Sequence, residues 1–196
     1  MQATWVTSNI LLTLLFGVLH QGGVLSSLFY LHNRISAAGS AENTQIIYWK
    51  TYMPPRHLLA IKERGTHIRS TAICTNNLVF PDVISGRINM TDLAGSSSTL
   101  LYESLVYPSN ARTLSSDMVD GSSYYSKTTT YLVTPFPMKA SLPREITRCF
   151  HLNHRAFPHL DLDHIGESME EGWRDGLSLG VWTVNQNCVS TNWELD

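Results

Sequence analysis

The chain has 196 residues and a formal net charge of −2, with a pI near 6.4. That balance excludes a polybasic nucleic-acid or membrane-surface binder. Its three cysteines, Cys74, Cys149 and Cys188, allow at most one internal bridge, with no pair singled out, and exclude a disulfide-stapled scaffold.

The first element is the stretch ILLTLLFGVLHQGGVLSSLFYL, residues 10–31, which is 22 residues without a charged side chain. A hydrocarbon layer about 30 Å thick is crossed by roughly 20 apolar residues in a helix. The length therefore predicts a transmembrane helix over residues 10–31, preceded by a short N-terminal segment, 1–9. His20, Gln21, Gly22 and Gly23 interrupt its middle. Polar groups at that depth face other helices or a water-lined cavity, so the helix reads as one member of a larger bundle. A signal peptide is the rival reading, with the small residues of 36–41 for cleavage, but residues 1–9 hold no Lys or Arg. The nearby positive charges, Arg34 and Lys50, both follow the helix and taken alone would put the rest of the chain on the cytoplasmic side.

Residues 32–44 read as a linker and 45–196 as one mixed α/β domain. Residues 45–52 (QIIYWKTY) are β-branched and aromatic and stop at Pro54-Pro55, as a strand does. Residues 67–75 predict a second strand and 77–83 a short extended piece. Leu100, Leu101, Leu105 and Val106 fall at helical spacing within 96–107. The Ser-rich stretch 108–127 reads as a long loop, and TTTYLVT, residues 128–134, as the clearest strand. Pro143 can open a helix to about Phe150. Residues 157–160 read as extended, Asp163 as the cap of a helix through Trp173, and residues 177–184 as the last strand. The fold class expected is thus a membrane protein fragment, with one transmembrane helix followed by a mixed α/β domain.

Generic motifs carry little. Gly176-Leu177-Ser178-Leu179-Gly180 matches a nucleophile elbow, but the elbow needs a strand before the serine and a histidine after it in the chain. Here a helical segment precedes and no histidine follows His164. Asp161-Leu162-Asp163 has the form of a metal-sharing carboxylate pair, and reads more simply as a solvated turn. His151, His154, His159 and His164 crowd near Cys149 without the spacing of a zinc finger. Asn89-Met90-Thr91 is an N-glycosylation sequon and marks Asn89 as a candidate glycan acceptor.

Four longer pieces are specific in combination: FGVLHQGG at 16–23, TYMPPRHLL at 51–59, FPHL at 157–160 and WRDGLSL at 173–179. In this order the chain resembles the C-terminal end of the GPI mannosyltransferases, in particular the branch that adds a fourth mannose. The resemblance runs from about residue 10 to 184, with the Ser-rich middle poorly matched. It implies a GT-C enzyme of the endoplasmic-reticulum membrane, with the C-terminal domain lumenal. Its donor would be dolichyl-phosphate-mannose, its acceptor the GPI precursor glycan and the linkage α-1,2, with no cofactor and no nucleic-acid partner. The family's catalytic carboxylates and its His-Lys-Glu motif have no counterpart here, since Lys62-Glu63-Arg64 follows Ile61. The chain is therefore expected to be a portion of such an enzyme, inactive alone, with no catalytic residue of its own. His20, Gln21 and Arg56 are the expected substrate contacts, Arg56 because a rigid Pro-Pro delivers it close to the membrane surface. The alternative is a non-catalytic lumenal binding domain on a single-pass anchor.

Overall fold

In a computed structural model of the chain, the structure describes residues 2–20, 22–38, 43–54, 58, 68–72, 88–106 and 128–193. The expected extended piece at 77–83 and the loop at 108–127 lie outside them.

The chain opens with α1 (Gln2–Leu12), a π-helical stretch (Thr13–Leu19) and α2 (Gly22–Ala38), which follow one another as a helical rod. From Gln2 to Ala37 the rod counts 36 residues, roughly 54 Å at helical rise. The two ends of the rod have different surroundings. Residues 2–19 leave Trp5, Ile10, Leu11, Leu14 and Phe16 exposed, whereas α2 turns Val24, Leu28, Leu31 and Ile35 into the protein core. Those four recur at helical spacing and form one apolar stripe.

The stripe covers one face of a six-stranded sheet. In chain order the strands are β1 (Asn43–Trp49), β2 (Ile68–Ala72), β3 (Ile88–Leu93), β4 (Thr128–Pro135), β5 (Phe150–Ala156) and β6 (Leu179–Val184), arranged β2-β3-β1-β4-β6-β5. The first four positions are parallel, and β6 and β5 close the other edge antiparallel. Ile46, Tyr48, Met90, Val133 and Val181 meet α2 on one face. Ile47, Trp49, Leu132 and Trp182 point the other way, into a second core with α3 (Ser98–Val106), α4 (Phe136–Ala140), α5 (Arg144–Thr147) and α8 (Gln186–Trp193). A sheet buried on both faces is the usual setting for parallel strands.

The mixed sheet, the long apolar helix near the N-terminus and the strands at 128–135 and 179–184 match expectation. Several bounds differ. The stretch 32–38, assigned to the linker, is helix with Ile35 buried, and β1 starts at Asn43. Residues 24–31, assigned to the lipid, are spent largely on the sheet. The helix expected from Pro143 stops at Thr147, because the chain then enters β5, an edge strand whose half-exposed polar residues hid it. In place of one helix capped by Asp163 there are α6 (Ile165–Glu170) and α7 (Gly172–Gly176), broken at Gly172 with φ +83°. His164 holds the cap position. A disulfide joins Cys149 to Cys188 and ties α8 to the start of β5.

Candidate functional site

The site grows from the point where the rod enters the domain. Leu160 N–H donates to Leu19 O at 2.7 Å, and His159 N–H donates to Leu177 O at 2.9 Å. Gly22 and Gly23 allow this closeness. A Cβ on Gly22 would sit 2.7 Å from Pro158 O, and one on Gly23 would sit 2.5 Å from His159 Cβ. Three of the four segments that stood apart in sequence, 16–23, 157–160 and 173–179, are thus stitched together here. The beginning of the fourth joins them: His20 lies edge-on to Tyr52, with ring centroids 5.9 Å apart.

A cleft of about 230 Å³ opens at this junction, lined by His20, Lys50, Thr51, Tyr52, Ala94, Gly95, His159, Leu160, Asp161, Asp163 and His164. Lys50–Tyr52 and Ala94-Gly95 directly follow β1 and β3, so the cleft sits outside the carboxyl ends of two parallel strands. The chain crosses from β3 on one side of β1 to β4 on the other. Lys50 turns the backbone out of β1 with φ +54°, a left-handed conformation uncommon for a lysine.

Asp161 organises the polar wall. Its carboxylate accepts from the Asp163 N–H at 3.1 Å and from His164 Nδ1–H at 2.8 Å. The second bond leaves His164 Nε2 as the free ring nitrogen. The Tyr52 hydroxyl donates to Asp163 Oδ2 at 3.4 Å. His20 Nδ1–H donates to Leu160 O at 3.2 Å, which fixes its tautomer because a carbonyl can only accept. Two polar atoms of the lining have no partner among the described residues: Thr51 Oγ1 and His159 Nδ1. Burial, helped by His20 close by, pushes the His159 pKa down to about 4, so this imidazole is neutral at physiological pH.

Of the expected substrate contacts, His20 lines the cleft, while Gln21 and Arg56 lie outside the described residues. Asn89 stands in β3 between β1 and β2 and is 2% exposed. A glycan on that amide would have to displace what is packed over it, which disfavours modification of the folded domain. Ser178 is fully buried and donates its hydroxyl to Arg174 O, which removes the elbow chemistry. The histidines do not gather. His151 is exposed on β5, and His154 stacks on Tyr30 and meets Ser26, leaving only His159 and His164 at the cleft. Among the described residues no group of three His, Cys, Asp or Glu is placed to hold a metal. Asp161 and Asp163 both line the cleft, Asp161 buried and Asp163 exposed in a turn as expected from the sequence. Lys50, Thr51, Tyr52, His159, Asp161 and His164 had only weak local signals, and their meeting depends on strand order.

The chain is similar to curated proteins named GPI mannosyltransferase. It is 29% identical over 175 residues to "GPI mannosyltransferase 4" of Debaryomyces hansenii, covering 89% of this chain and 29% of the relative. It is 26% identical over 189 residues to "GPI alpha-1,2-mannosyltransferase 4" of Homo sapiens, covering 92% of this chain and 28% of that protein. A shorter match, 40% identical over 55 residues, is to "GPI mannosyltransferase 4" of Yarrowia lipolytica and covers 28% of this chain and 10% of the relative. The chain thus spans under a third of the length of these relatives. No family model matches. No solved structure matches.

Proposed function

We propose that the chain is a portion of a GPI-anchor mannosyltransferase that moves mannose in α-1,2 linkage from dolichyl-phosphate-mannose to the GPI precursor glycan. The single observation that carries this reading is the similarity along nearly the whole chain to relatives so named. The convergence of the specific segments on one cleft supports it. Residues 2–19 enter the endoplasmic-reticulum membrane as one helix of a bundle, and the sheet domain stands in the lumen. Apolar side chains exposed along 2–19 support the first statement, since so long a stripe on a soluble surface is a liability. The Cys149–Cys188 bridge supports the second, because such bridges persist in oxidising compartments.

The cleft then lies where the rod leaves the lipid, at the level of a lipid-linked sugar. His20, Gln21 and Arg56 contact the substrates, with Arg56 on a phosphate, where its planar fork can make two charge-assisted bonds. The chain supplies no base that deprotonates the acceptor and transfers no mannose by itself.

The test is complementation of a strain lacking the enzyme, with full-length Arg56→Ala and Arg56→Lys at matched protein levels. Loss of a charge-assisted bond worth roughly 1.5–3 kcal/mol lowers labelling of GPI precursors about ten- to hundredfold, with little recovery in Arg56→Lys. Wild-type labelling by both variants overturns the role of Arg56. Failure of the full-length wild type to complement overturns the transferase reading. Orientation is read separately in intact microsomes. A lumenal domain resists added protease and shows the 149–188 bridge, and digestion places it in the cytoplasm.

A further inference from the structure

Among the described residues beyond α2, most of the large apolar side chains left exposed gather at one end of the domain. Tyr52 follows β1 and Phe157 follows β5, while Ile165, Met169 and Trp173 lie on α6 and α7, between the end of β5 and the start of β6. β4 runs parallel to β1, and β6 runs antiparallel to both β4 and β5. The ends of β1 and β5 and the start of β6 therefore share one end of the sheet. Leu152, in the first half of β5, is exposed away from it. The rod joins the domain at this same end, where Gly22 and Gly23 face Pro158 and His159. Phe16 and Val18 are exposed on the last turn of the rod before that joint, so the apolar surface of the rod runs up to that of the domain.

Single apolar side chains on a surface need no explanation, whereas a cluster of them marks an interaction surface. Trp173 is 81% exposed and Met169 is 76% exposed. Ile165 and Met169 are four residues apart and share one face of α6, and Glu167 falls on the opposite face. Indole and phenol rings favour the boundary between hydrocarbon and water, where the ring body is apolar and its polar tip stays wet. We propose that this end of the domain rests on the lipid surface around the rod, with Trp173, Met169, Ile165, Phe157 and Tyr52 set into the interfacial layer. The occupant is a zwitterionic bilayer. Glu167, Glu170, Glu171 and Asp175 outnumber Arg174 along α6 and α7, which gives this face no attraction to anionic lipid. Such a seat fixes the tilt of the domain, which a single helix leaves free, and holds the mouth of the cleft at the headgroups. The proposal rests on the reading of residues 2–19 as a membrane helix, and goes beyond it in giving the domain a lipid contact of its own.

The full chain is reconstituted into phosphatidylcholine vesicles brominated near the top of the acyl chains, where bromine quenches only tryptophans that reach the lipid. Emission is compared in the wild type, Trp5→Phe, Trp173→Phe and the double variant. Both positions are exposed, so neither exchange disturbs the core. Trp5 reports on the rod and Trp173 on the end of the domain. Bromine should remove most of the emission that Trp173→Phe removes. Met169→Trp in the double variant, one turn away, should be quenched as well. Leu152→Trp in the same background should instead be quenched by acrylamide from the water and untouched by bromine. Quenching at Trp5 with none at Trp173 or Met169→Trp overturns the proposal and leaves the membrane helix standing, as when a second copy or another helix covers this face. Quenching at none of these positions overturns the membrane helix as well. Equal quenching at Leu152→Trp also overturns the proposal, because the lipid contact is then not confined to this end.

Discussion

The two ends of the N-terminal rod teach the most when set side by side. Residues 2–19 and 22–38 are both apolar and both helical, yet they have opposite surroundings. Leu11 in the first is 61% exposed and Leu31 in the second is 0% exposed. Hydropathy does not separate them. The difference comes from Gly22-Gly23, which lets the backbone touch residues 158–159, and from the stripe Val24, Leu28, Leu31 and Ile35, which fits the upper face of the sheet. A helix whose partners lie in its own domain is a core helix. The same kind of helix without them waits for lipid or for other helices.

The sharpest way to break this comparison is to truncate one leucine in each half. Leu31→Ala should cost about 2–5 kcal/mol, the cost of emptying a filled core site. Leu11→Ala in detergent should stay within about 0.5 kcal/mol, as exposed substitutions do. Urea unfolding followed by tryptophan fluorescence measures both, and equal losses would mean that the division at residues 20–22 is wrong.

The next effect belongs to the joint between the halves. The pKa of His159 falls from an ordinary 6.5 to about 4 in the fold. Below pH about 6.5 the unfolded chain takes up a proton that the native imidazole refuses, so stability drops as pH falls toward about 4 and then levels off. At about 1.4 kcal/mol per pKa unit the loss reaches at most roughly 3 kcal/mol. His159→Gln should flatten this part of the stability curve. An unchanged slope would assign it to other groups.

Gly23→Ala tests the close approach itself. The added carbon would lie 2.5 Å from His159 Cβ and 3.0 Å from Leu179 Cβ, so the rod must back away from the domain. A cost of about 1–3 kcal/mol is expected, as for overpacking elsewhere. Gly17→Ala, in the exposed half, meets nothing nearer than 3.9 Å and should be silent. Thermal unfolding of the two variants compares them directly.

The smallest effect lies on the buried half's polar edge. Ser26 Oγ lies 3.3 Å from His154 Nε2, and that ring stacks on Tyr30 with centroids 4.7 Å apart. Ser26→Ala should cost about 0.5–1.5 kcal/mol, one ordinary hydrogen bond. A neutral result would mean that water replaces the hydroxyl.

By itself the sequence determined the apolar run, the α/β class, the strands 128–135 and 179–184, and the helix at 98–106. Each of these is written in local periodicity or β-branched content, which does not depend on distant residues. It also held the four segments whose combination carries the likeness to the GPI mannosyltransferases. Tertiary structure alone decided where the exposed part of the rod ends, because burial of Leu28 and Leu31 depends on a sheet formed by residues far along the chain. It decided the partner of Cys149 and the burial of Asn89, which a sequon cannot reveal. It also assembled the cleft. His20, Thr51, Gly95 and His159 share no local pattern, and they meet only because β1 and β3 end side by side beneath the point where the helix enters.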